Sequence, residues 1–130
     1  MADWLLFYYY SCFSLVVGLA VRQAIAASMK RYDASLQVKW PNDIVIDDRK
    51  IGGVLTEASI DCENVKSLVI GIGINCNSTR SDFPSPLTDT ISSLKEISGR
   101  QISINEINGV VFYFKVDNRF LKKLIIQRKI

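Results

Sequence analysis

Apolar and polar residues alternate with a period of two in the middle of the chain, a pattern typical of β-strands. Residues 35–39 (SLQVK) alternate in this way, and two apolar runs follow at residues 44–46 and 51–58. The link between these runs, residues 47–50, is short and polar, so we expect the two runs to pair as a hairpin. Residues 69–75 (VIGIGIN) alternate again and predict a further strand.

The N-terminal part of the chain shows a spacing typical of helices. Ser14 is a favoured helix N-cap residue, and Val17 and Val21 follow at helical intervals. A helix is therefore predicted over residues 15–31. The aromatic run before it, residues 5–10, has the length and composition of a short strand.

The C-terminal half is predicted to be a loop followed by helices. Residues 77–90 are rich in Ser, Thr, Pro and Asp, which is typical of a loop. A short helix is predicted within residues 90–97. Ser103 and Glu106 form an S-x-x-E capping box, so a last helix is predicted from there, with one apolar face continuing to about residue 124.

These elements predict an α/β fold of the α+β type, with a mixed β-sheet and helices on one of its faces. A length of 130 residues fits a single domain over residues 1–130. The hydrophobic content of 48% is enough for one buried core.

Residues 4–21 carry no charge, and their length is close to that of a membrane span. Ser11 and Ser14 interrupt this run, and Arg22 then continues a helical pattern, which favours a buried strand followed by a buried helix. The chain begins Met-Ala-Asp and has no basic segment before the apolar run, so a signal peptide is not expected. We predict no membrane partner.

The charge of the chain is +3, from 16 basic and 13 acidic residues, and it does not indicate a nucleic-acid partner. Basic residues near the C-terminus are interpreted as a solvated helix face and tail. They are Lys115, Arg119, Lys122, Lys123, Arg128 and Lys129. Three widely spaced cysteines, Cys12, Cys62 and Cys76, show no C-x-x-C spacing, so a reducing, cytoplasmic setting is expected.

The absence of histidine limits the possible chemistry more than any other feature of the composition. Nucleophiles activated by histidine, histidine metal ligands and histidine general bases are all excluded within this chain. Any reaction must therefore use lysine, arginine, carboxylates, amides and backbone groups.

Gly71 and Gly73 are predicted to share one face of a strand with Asn75, while isoleucines occupy the other face. Two glycines on one strand face weaken the strand, so they need a reason. Either a flat ligand lies against the bare backbone, or a helix packs closely on the sheet at this point. The residues alone favour neither alternative.

The segment Lys39-Trp40-Pro41-Asn42-Asp43 ends a predicted strand with an amide and a carboxylate. Such groups are suited to bind ribose, phosphate or Mg²⁺, although Asn-Asp is also a common turn pair. Lys50 follows at the end of the hairpin link. It is either an ordinary turn lysine or an ammonium that holds a substrate carboxylate and phosphate.

Taken together, these segments resemble the central signature of biotin protein ligases. The signature consists of KWPND, a hairpin with R-K-hydrophobic-G-G, and a strand of the form G-x-G-hydrophobic-N. Here the corresponding segments are residues 39–57 (KWPNDIVIDDRKIGGVLTE) and 69–77 (VIGIGINCN). TISSL at residues 90–94 also looks like the family's continuation, so the resemblance extends over about residues 15–124.

The resemblance implies a class II synthetase-like biotin/lipoate ligase catalytic domain. Such an enzyme couples biotin to AMP, using ATP and Mg²⁺, and releases pyrophosphate. It then transfers biotin to a lysine of a biotin carboxyl carrier domain. Carried over to this chain, Lys50 would meet the biotin carboxylate and the phosphate, and Gly71 and Gly73 would form the floor beside the biotin rings. The remaining implied roles are Asn42, Asp43 and Asn75 near the nucleotide and its Mg²⁺, with Lys39 and Trp40 as structural support.

The resemblance also has departures. Members of the family carry a GRGRxGRxW-type loop and a Ser/Thr-Asn segment before the first helix, and many carry a small C-terminal β-domain. None of these is matched here, so the chain is expected to be a partial catalytic domain. Two alternatives stay open: a truncated domain that folds or pairs with partners without catalysis, and a relative of lipoate or octanoate ligases.

Overall fold

The computed structural model describes residues 3–61, 64–111 and 124–129, which contain a five-stranded sheet. The strands lie in chain order from β1 to β5. They are β1 (Leu36–Lys39), β2 (Asp43–Ile46), β3 (Arg49–Asp61), β4 (Asn64–Ile74) and β5 (Leu124–Lys129). Neighbours from β1 to β4 pair antiparallel, whereas β4 and β5 pair parallel. The sheet is therefore mixed, as predicted.

A two-residue turn joins β2 to β3 and confirms the predicted hairpin. Asp47 and Asp48 both have positive φ, of 49° and 61°. Positive φ at both central positions is the geometry of a type I′ turn, whose twist matches that of the flanking strands. Because the turn needs only these two residues, Arg49 and Lys50 already belong to β3.

The pairing of β2 with β3 contains one irregularity. Ile44 pairs with Gly52, but Val45 pairs with Lys50, so β3 has one extra residue, Ile51, at this point. This is a β-bulge, and it changes which side chains of β3 share a face. The bulge therefore affects how the β3 residues of the candidate site are arranged.

The N-terminal helix α1 (Asp3–Ser28) is longer than predicted. The prediction of a strand at residues 5–10 was wrong, because no Gly or Pro separates this run from the helix, so helical hydrogen bonding continues through it. Ser14 is consequently not a cap: it lies inside the helix, and its hydroxyl donates a hydrogen bond of 2.8 Å to Oγ1 of Thr56 on β3.

One side of α1 packs on the sheet. Val21, Ala24 and Ile25 are almost completely buried, at the helical spacing that the sequence predicted. A side chain on Gly18 would begin 3.2 Å from Cγ1 of Val38, so the glycine permits a close approach of α1 to β1. Fully burying a side chain such as Ile25 stabilises the fold by about 1.5–3 kcal/mol.

By length and composition alone, the part of α1 from Tyr8 to Ser28 would be able to cross a membrane. A core helix of a globular domain has the same character, and the inner side of α1 is buried against β3. Its outer side exposes large apolar side chains, namely Tyr8, Tyr9, Phe13, Leu15, Val16 and Leu19.

Two short helices complete the core on the α1 side of the sheet. They are α2 (Leu94–Ser98) and α3 (Ile104–Val111). Leu94, Ile102 and Ile107 join the same buried cluster as Ile25 and Ile44. The prediction of helices on one face is therefore confirmed, and Ile102 and Ile107, on either side of the start of α3, are both buried.

Local capping defines the bounds of α2. The hydroxyl of Ser93 accepts a hydrogen bond of 3.1 Å from the backbone N–H of Glu96, which makes Ser93 the N-cap. Gly99 ends the helix in the left-handed conformation, with φ of 71°. The helix is shorter than the range 90–97 in which it was predicted, because residues 90–92 run beside β3 instead.

The loop predicted at residues 77–90 contains two short 3-10 turns, Arg80–Asp82 and Leu87–Asp89. The pKa of the Asp82 carboxyl lies below its ordinary value, because the backbone N–H of Thr79 and then the Thr79 hydroxyl donate hydrogen bonds to it. This capping box orders the start of the loop.

The predicted continuation of the last helix to about residue 124 lies, over residues 112–123, outside the described residues. Helix α3 begins directly after Ser103, as predicted, and is described to Val111. Residues 124–129 form β5, which lies beside β4, so the sequence Leu-Ile-Ile belongs to a strand. Most of the basic cluster lies outside the described residues, and Arg128 and Lys129 belong to β5 rather than to a helix.

Candidate functional site

The candidate site lies on the face of the sheet opposite α1. Lys39 pairs with Asp43, Asp43 with Gly53, and Gly53 with Gly73, so these residues form one row across four strands. On β3, Val54 and Thr56 point towards α1, which places Gly53 and Leu55 on the opposite face. The KWPND segment, the hairpin and the glycine strand therefore meet at one place.

The two glycines of β4 form an open part of this face. No heavy atom lies within 4 Å of the position that a Cβ on Gly73 would take. A Cβ on Gly71 would meet only Leu55, at 3.8 Å. The alternative that a helix packs closely on these glycines is therefore excluded for the described residues. Leu55, which is 57% exposed, provides an apolar rim beside the bare strip.

The side chain of Lys50 lies at the edge of the open strip. Its Nζ is 2.8 Å from Oδ1 of Asp43, and the two side chains are 46% and 33% exposed. Ion pairs that are partly solvated contribute at most about 1 kcal/mol, so an anionic ligand can replace Asp43 as the partner of Lys50. The amine is thus held over the sheet and stays accessible.

The backbone of Lys50 is fixed by the segment that follows the loop. Its N–H donates to the carbonyl of Thr90 at 2.8 Å, and its carbonyl accepts from the N–H of Ser92 at 2.9 Å. Ser92 is completely buried. The TISSL segment (residues 90–94) therefore anchors the lysine backbone from the side opposite the hairpin. In the sequence, this segment was connected to the site only by its resemblance to the family.

Asn75 connects this anchor to β3. Its backbone N–H donates to the carbonyl of Ile51 at 2.7 Å, and its side-chain Nδ2 donates to the carbonyl of Ser92 at 3.1 Å. Its own carbonyl accepts from the N–H of Leu94 at 2.9 Å. These contacts give Asn75 a structural task, and its predicted place near a nucleotide stays a prediction.

The other predicted residues lie around the Lys50–Asp43 pair. The carbonyl of Asn42 accepts a hydrogen bond of 2.9 Å from the N–H of Val54, which ties the end of the KWPND segment to β3. Lys39 and Trp40 are both exposed, and the bond from Trp40 to Pro41 is cis. Their predicted role as structural support stays a prediction.

Sequence reasoning missed two positions of this site. Gly53 lies directly below the lysine side chain, and Ser92 holds the lysine backbone. The Gly-Gly pair after Lys50 was a signal for the first, because glycine inside a strand often marks a bulge or a close approach. Nothing in the local sequence marks Ser92, because its partner is 42 positions away along the chain.

The site is equipped to bind an anion beside a flat apolar group. A bare strip of backbone offers a flat surface, and Lys50 offers a positive charge next to a carboxylate. Among residues 3–61, 64–111 and 124–129, no group of three or more acidic, cysteine or histidine side chains is arranged to hold a metal ion.

Comparison with known proteins is consistent with this geometry. The model of the biotin/lipoate A/B protein ligase family matches residues 5–75. The bifunctional ligase/repressor BirA of Bacillus spizizenii is 43% identical over 91 residues, which cover 68% of this chain and 26% of that protein. Biotin–protein ligase 2 of Arabidopsis thaliana is 32% identical over 111 residues, which cover 81% of this chain and 31% of that protein.

Solved structures give the same result. The apo biotin protein ligase of Aquifex aeolicus superposes with a TM-score of 0.60 at 30% identity, covering 77% of this chain and 41% of that one. The ligase of Leishmania major in complex with biotinyl-5-AMP gives 0.55 at 25% identity, covering 76% of this chain and 43% of that one. The chain thus spans about a quarter to two-fifths of the length of these relatives. Because the family model matches more than half of its residues, the chain belongs to the biotin/lipoate A/B protein ligase family.

Proposed function

We propose that this chain is part of the catalytic domain of a biotin protein ligase, which joins biotin to a carrier protein at the expense of ATP. The observation that carries the proposal is the open glycine strip beside the Lys50 amine. Two further facts support it: a relative solved with biotin and ATP is 31% identical to this chain, and another was solved with biotinyl-5-AMP.

The proposed reaction has two steps. A carboxylate oxygen of biotin attacks the α-phosphorus of ATP, the bond to the bridging oxygen breaks, and pyrophosphate leaves. The amine of a lysine on a biotin carboxyl carrier domain then attacks the acyl carbon, loses a proton, and displaces AMP to form an amide. Both steps depend on charge neutralisation and positioning, which fits a chain without histidine.

Within this proposal each predicted residue has a place. The rings of biotin lie on the strip of Gly71 and Gly73. The Lys50 ammonium leaves Asp43 and pairs instead with the biotin carboxylate and the α-phosphate. Asn42, Asp43 and Asn75 lie on the nucleotide side. Asn42, Asp43 and Asn75 would lie near Mg²⁺, which would supply additional neutralisation of the phosphate charge. We propose a cytoplasmic setting and no nucleic-acid or membrane partner for this domain.

The test is pyrophosphate release by the full-length protein. Release should require biotin and ATP together, and lipoate or octanoate in place of biotin should give much less. Lys50→Ala should lower the rate by about 100-fold or more, since removing a group that stabilises transition-state charge typically costs this much. Lys30→Ala, an exposed lysine outside the site, is the matched control and should match the unmodified protein.

A second measurement separates catalysis from a domain that only folds. Isothermal titration calorimetry of biotin into the 130-residue chain and into the full-length protein should show biotin binding in the latter. An inactive full-length protein that binds no biotin would support the non-catalytic alternative and defeat the proposal. Full activity of Lys50→Ala would defeat the role of the lysine but not the membership of the family.

A further inference from the structure

Lys39 lies on the face of the sheet that carries the candidate site. Its neighbours in β1 pack on the other face: Leu36 is buried in the core, and Val38 lies against Gly18 of α1. Side chains alternate along a strand, so Lys39 points to the face of Lys50 and the glycine strip. Its side chain is exposed there.

Three charged side chains form a row across the first three strands on this face. Lys39 pairs with Asp43, and Asp43 pairs with Gly53, over which the Lys50 side chain lies. The carboxylate of Asp43 contacts Lys50, with 2.8 Å between Oδ1 and Nζ. Within the parts of the chain that the structure describes, Lys39 forms no ion pair and no side-chain hydrogen bond. The row therefore has one positive charge without a partner there.

The two lysines of the row are close enough to bind one extended anion. Neighbouring strands lie about 4.8 Å apart, so the backbone of Lys39 is about 10 Å from that of Gly53. Both lysines have flexible four-carbon stems, and an ammonium is a point charge suited to phosphate. A triphosphate that meets Lys50 at one end can therefore meet Lys39 further along its length.

The order of the strands also gives this site a direction. The glycine strip of β4 lies on one side of β3, whereas β2 and β1 lie on the other side. The attacking and leaving oxygens of a phosphoryl transfer lie roughly in line, on opposite sides of the phosphorus. With an acid on the strip and the attacked phosphorus at Lys50, the leaving group therefore points across β2 towards Lys39.

We propose that Lys39 is a second catalytic cation, which binds the β- and γ-phosphates of ATP and the pyrophosphate that forms from them. This inference rests on the proposed function, in which Lys50 meets the biotin carboxylate and the α-phosphate. When the biotin oxygen attacks the α-phosphorus, the bond to the bridging oxygen breaks, and its electron pair stays on pyrophosphate. The Lys39 ammonium neutralises the charge that builds up on this leaving group.

The first experiment compares the two reaction steps in the full-length protein. Lys39→Met removes the charge and keeps a side chain of similar length. It should lower the kcat of biotin-dependent pyrophosphate release about 10-fold or more, because a group that stabilises developing charge is lost. Transfer of biotin from added biotinyl-5-AMP to the carrier domain involves no pyrophosphate, so its rate should stay within about twofold of the parent.

The second experiment measures pyrophosphate binding without turnover. Isothermal titration calorimetry of inorganic pyrophosphate into the full-length protein should show about fivefold weaker affinity or less for Lys39→Met, because one charged contact is lost. Lys39→Arg keeps the charge and should retain most of the parent's affinity and rate. Lys30→Met, which removes an exposed lysine outside the site, is the matched control and should behave like the parent.

Parent-like pyrophosphate release and affinity in Lys39→Met would overturn the inference. Equal losses in both reaction steps, or a large drop in melting temperature, would also overturn it, since they would indicate structural support. A full-length protein that releases no pyrophosphate with biotin and ATP would defeat the proposed function itself. If release needs both substrates and depends on Lys50 but not on Lys39, only the role of Lys39 fails.

Discussion

Lys50 and Asp43 show how much of this protein's chemistry depends on single residues. The lysine is an ordinary turn lysine by its position in the sequence, yet its amine lies 2.8 Å from Asp43 and beside bare glycine backbone. Its backbone is held by Thr90 and Ser92. The charge is thus placed by contacts that involve three separate parts of the chain.

Replacing Asp43 with asparagine tests the competition between this carboxylate and a ligand for the lysine. Under the proposed function, the change removes the negative charge that the biotin carboxylate has to displace. Asp43→Asn should therefore bind biotin alone about threefold more tightly, while the free energy of unfolding changes by less than about 1 kcal/mol. Calorimetry and urea unfolding on the full-length protein check the two parts.

Glu57→Gln is the matched control for Asp43→Asn. Glu57 is an exposed carboxylate on the same face of β3, away from the ion pair, so its neutralisation should leave biotin affinity unchanged. Weaker biotin binding in Asp43→Asn would contradict the view that Asp43 competes with the ligand.

At the scale of elements, local signals defined the hairpin and α2, whereas contacts with the sheet defined α1. The hairpin depends on two aspartates that accept positive φ, and α2 depends on Ser93 and Gly99 at its ends. The aromatic run before Ser14 has strand composition, but it continues a helix whose inner side packs on β3. No Gly or Pro separates this run from the rest of α1, so helical hydrogen bonding continues through it.

Substitutions at Gly99 test how the C-terminal end of α2 is stabilised. Its left-handed conformation is costly for a residue with a Cβ, so Gly99→Ala should lower the free energy of unfolding by about 1–2 kcal/mol. Gly99→Asn should lose less, since asparagine tolerates this conformation. Urea unfolding followed by circular dichroism gives both values, and equal stability of all three proteins would exclude a capping role.

At the scale of the whole molecule, α1 is a core helix with one buried and one exposed side. The exposed side carries tyrosines, a phenylalanine and aliphatic residues, and the helix is long enough to cross a membrane by composition alone. The buried side joins the cluster that links the sheet with α2 and α3. Packing on the sheet explains the apolar residues on the buried side of α1; the structure gives no reason for those on its exposed side.

A pair of substitutions in α1 distinguishes these two sides. Ile25→Ala removes a completely buried side chain and should cost about 2–5 kcal/mol of unfolding free energy. Leu19→Ala removes a side chain that is 48% exposed, and it should cost less than about 1 kcal/mol. Similar losses in the two variants, measured by chemical unfolding, would contradict the packing of α1 on the sheet.

The sequence by itself determined strands β1 to β3, part of β4, the hairpin and the helix start after Ser103, because these depend on local periodicity and turn chemistry. The ligase motifs were identified by their resemblance to a known family. Only the tertiary structure decided that residues 124–129 add a parallel strand, because their partner strand β4 lies far away along the chain. It also showed that residues 5–10 belong to α1. The same holds for the site. The bare strip follows from a period of two, but the place of Lys50 depends on the bulge at Ile51 and on the segment around Ser92, which no local pattern brings together.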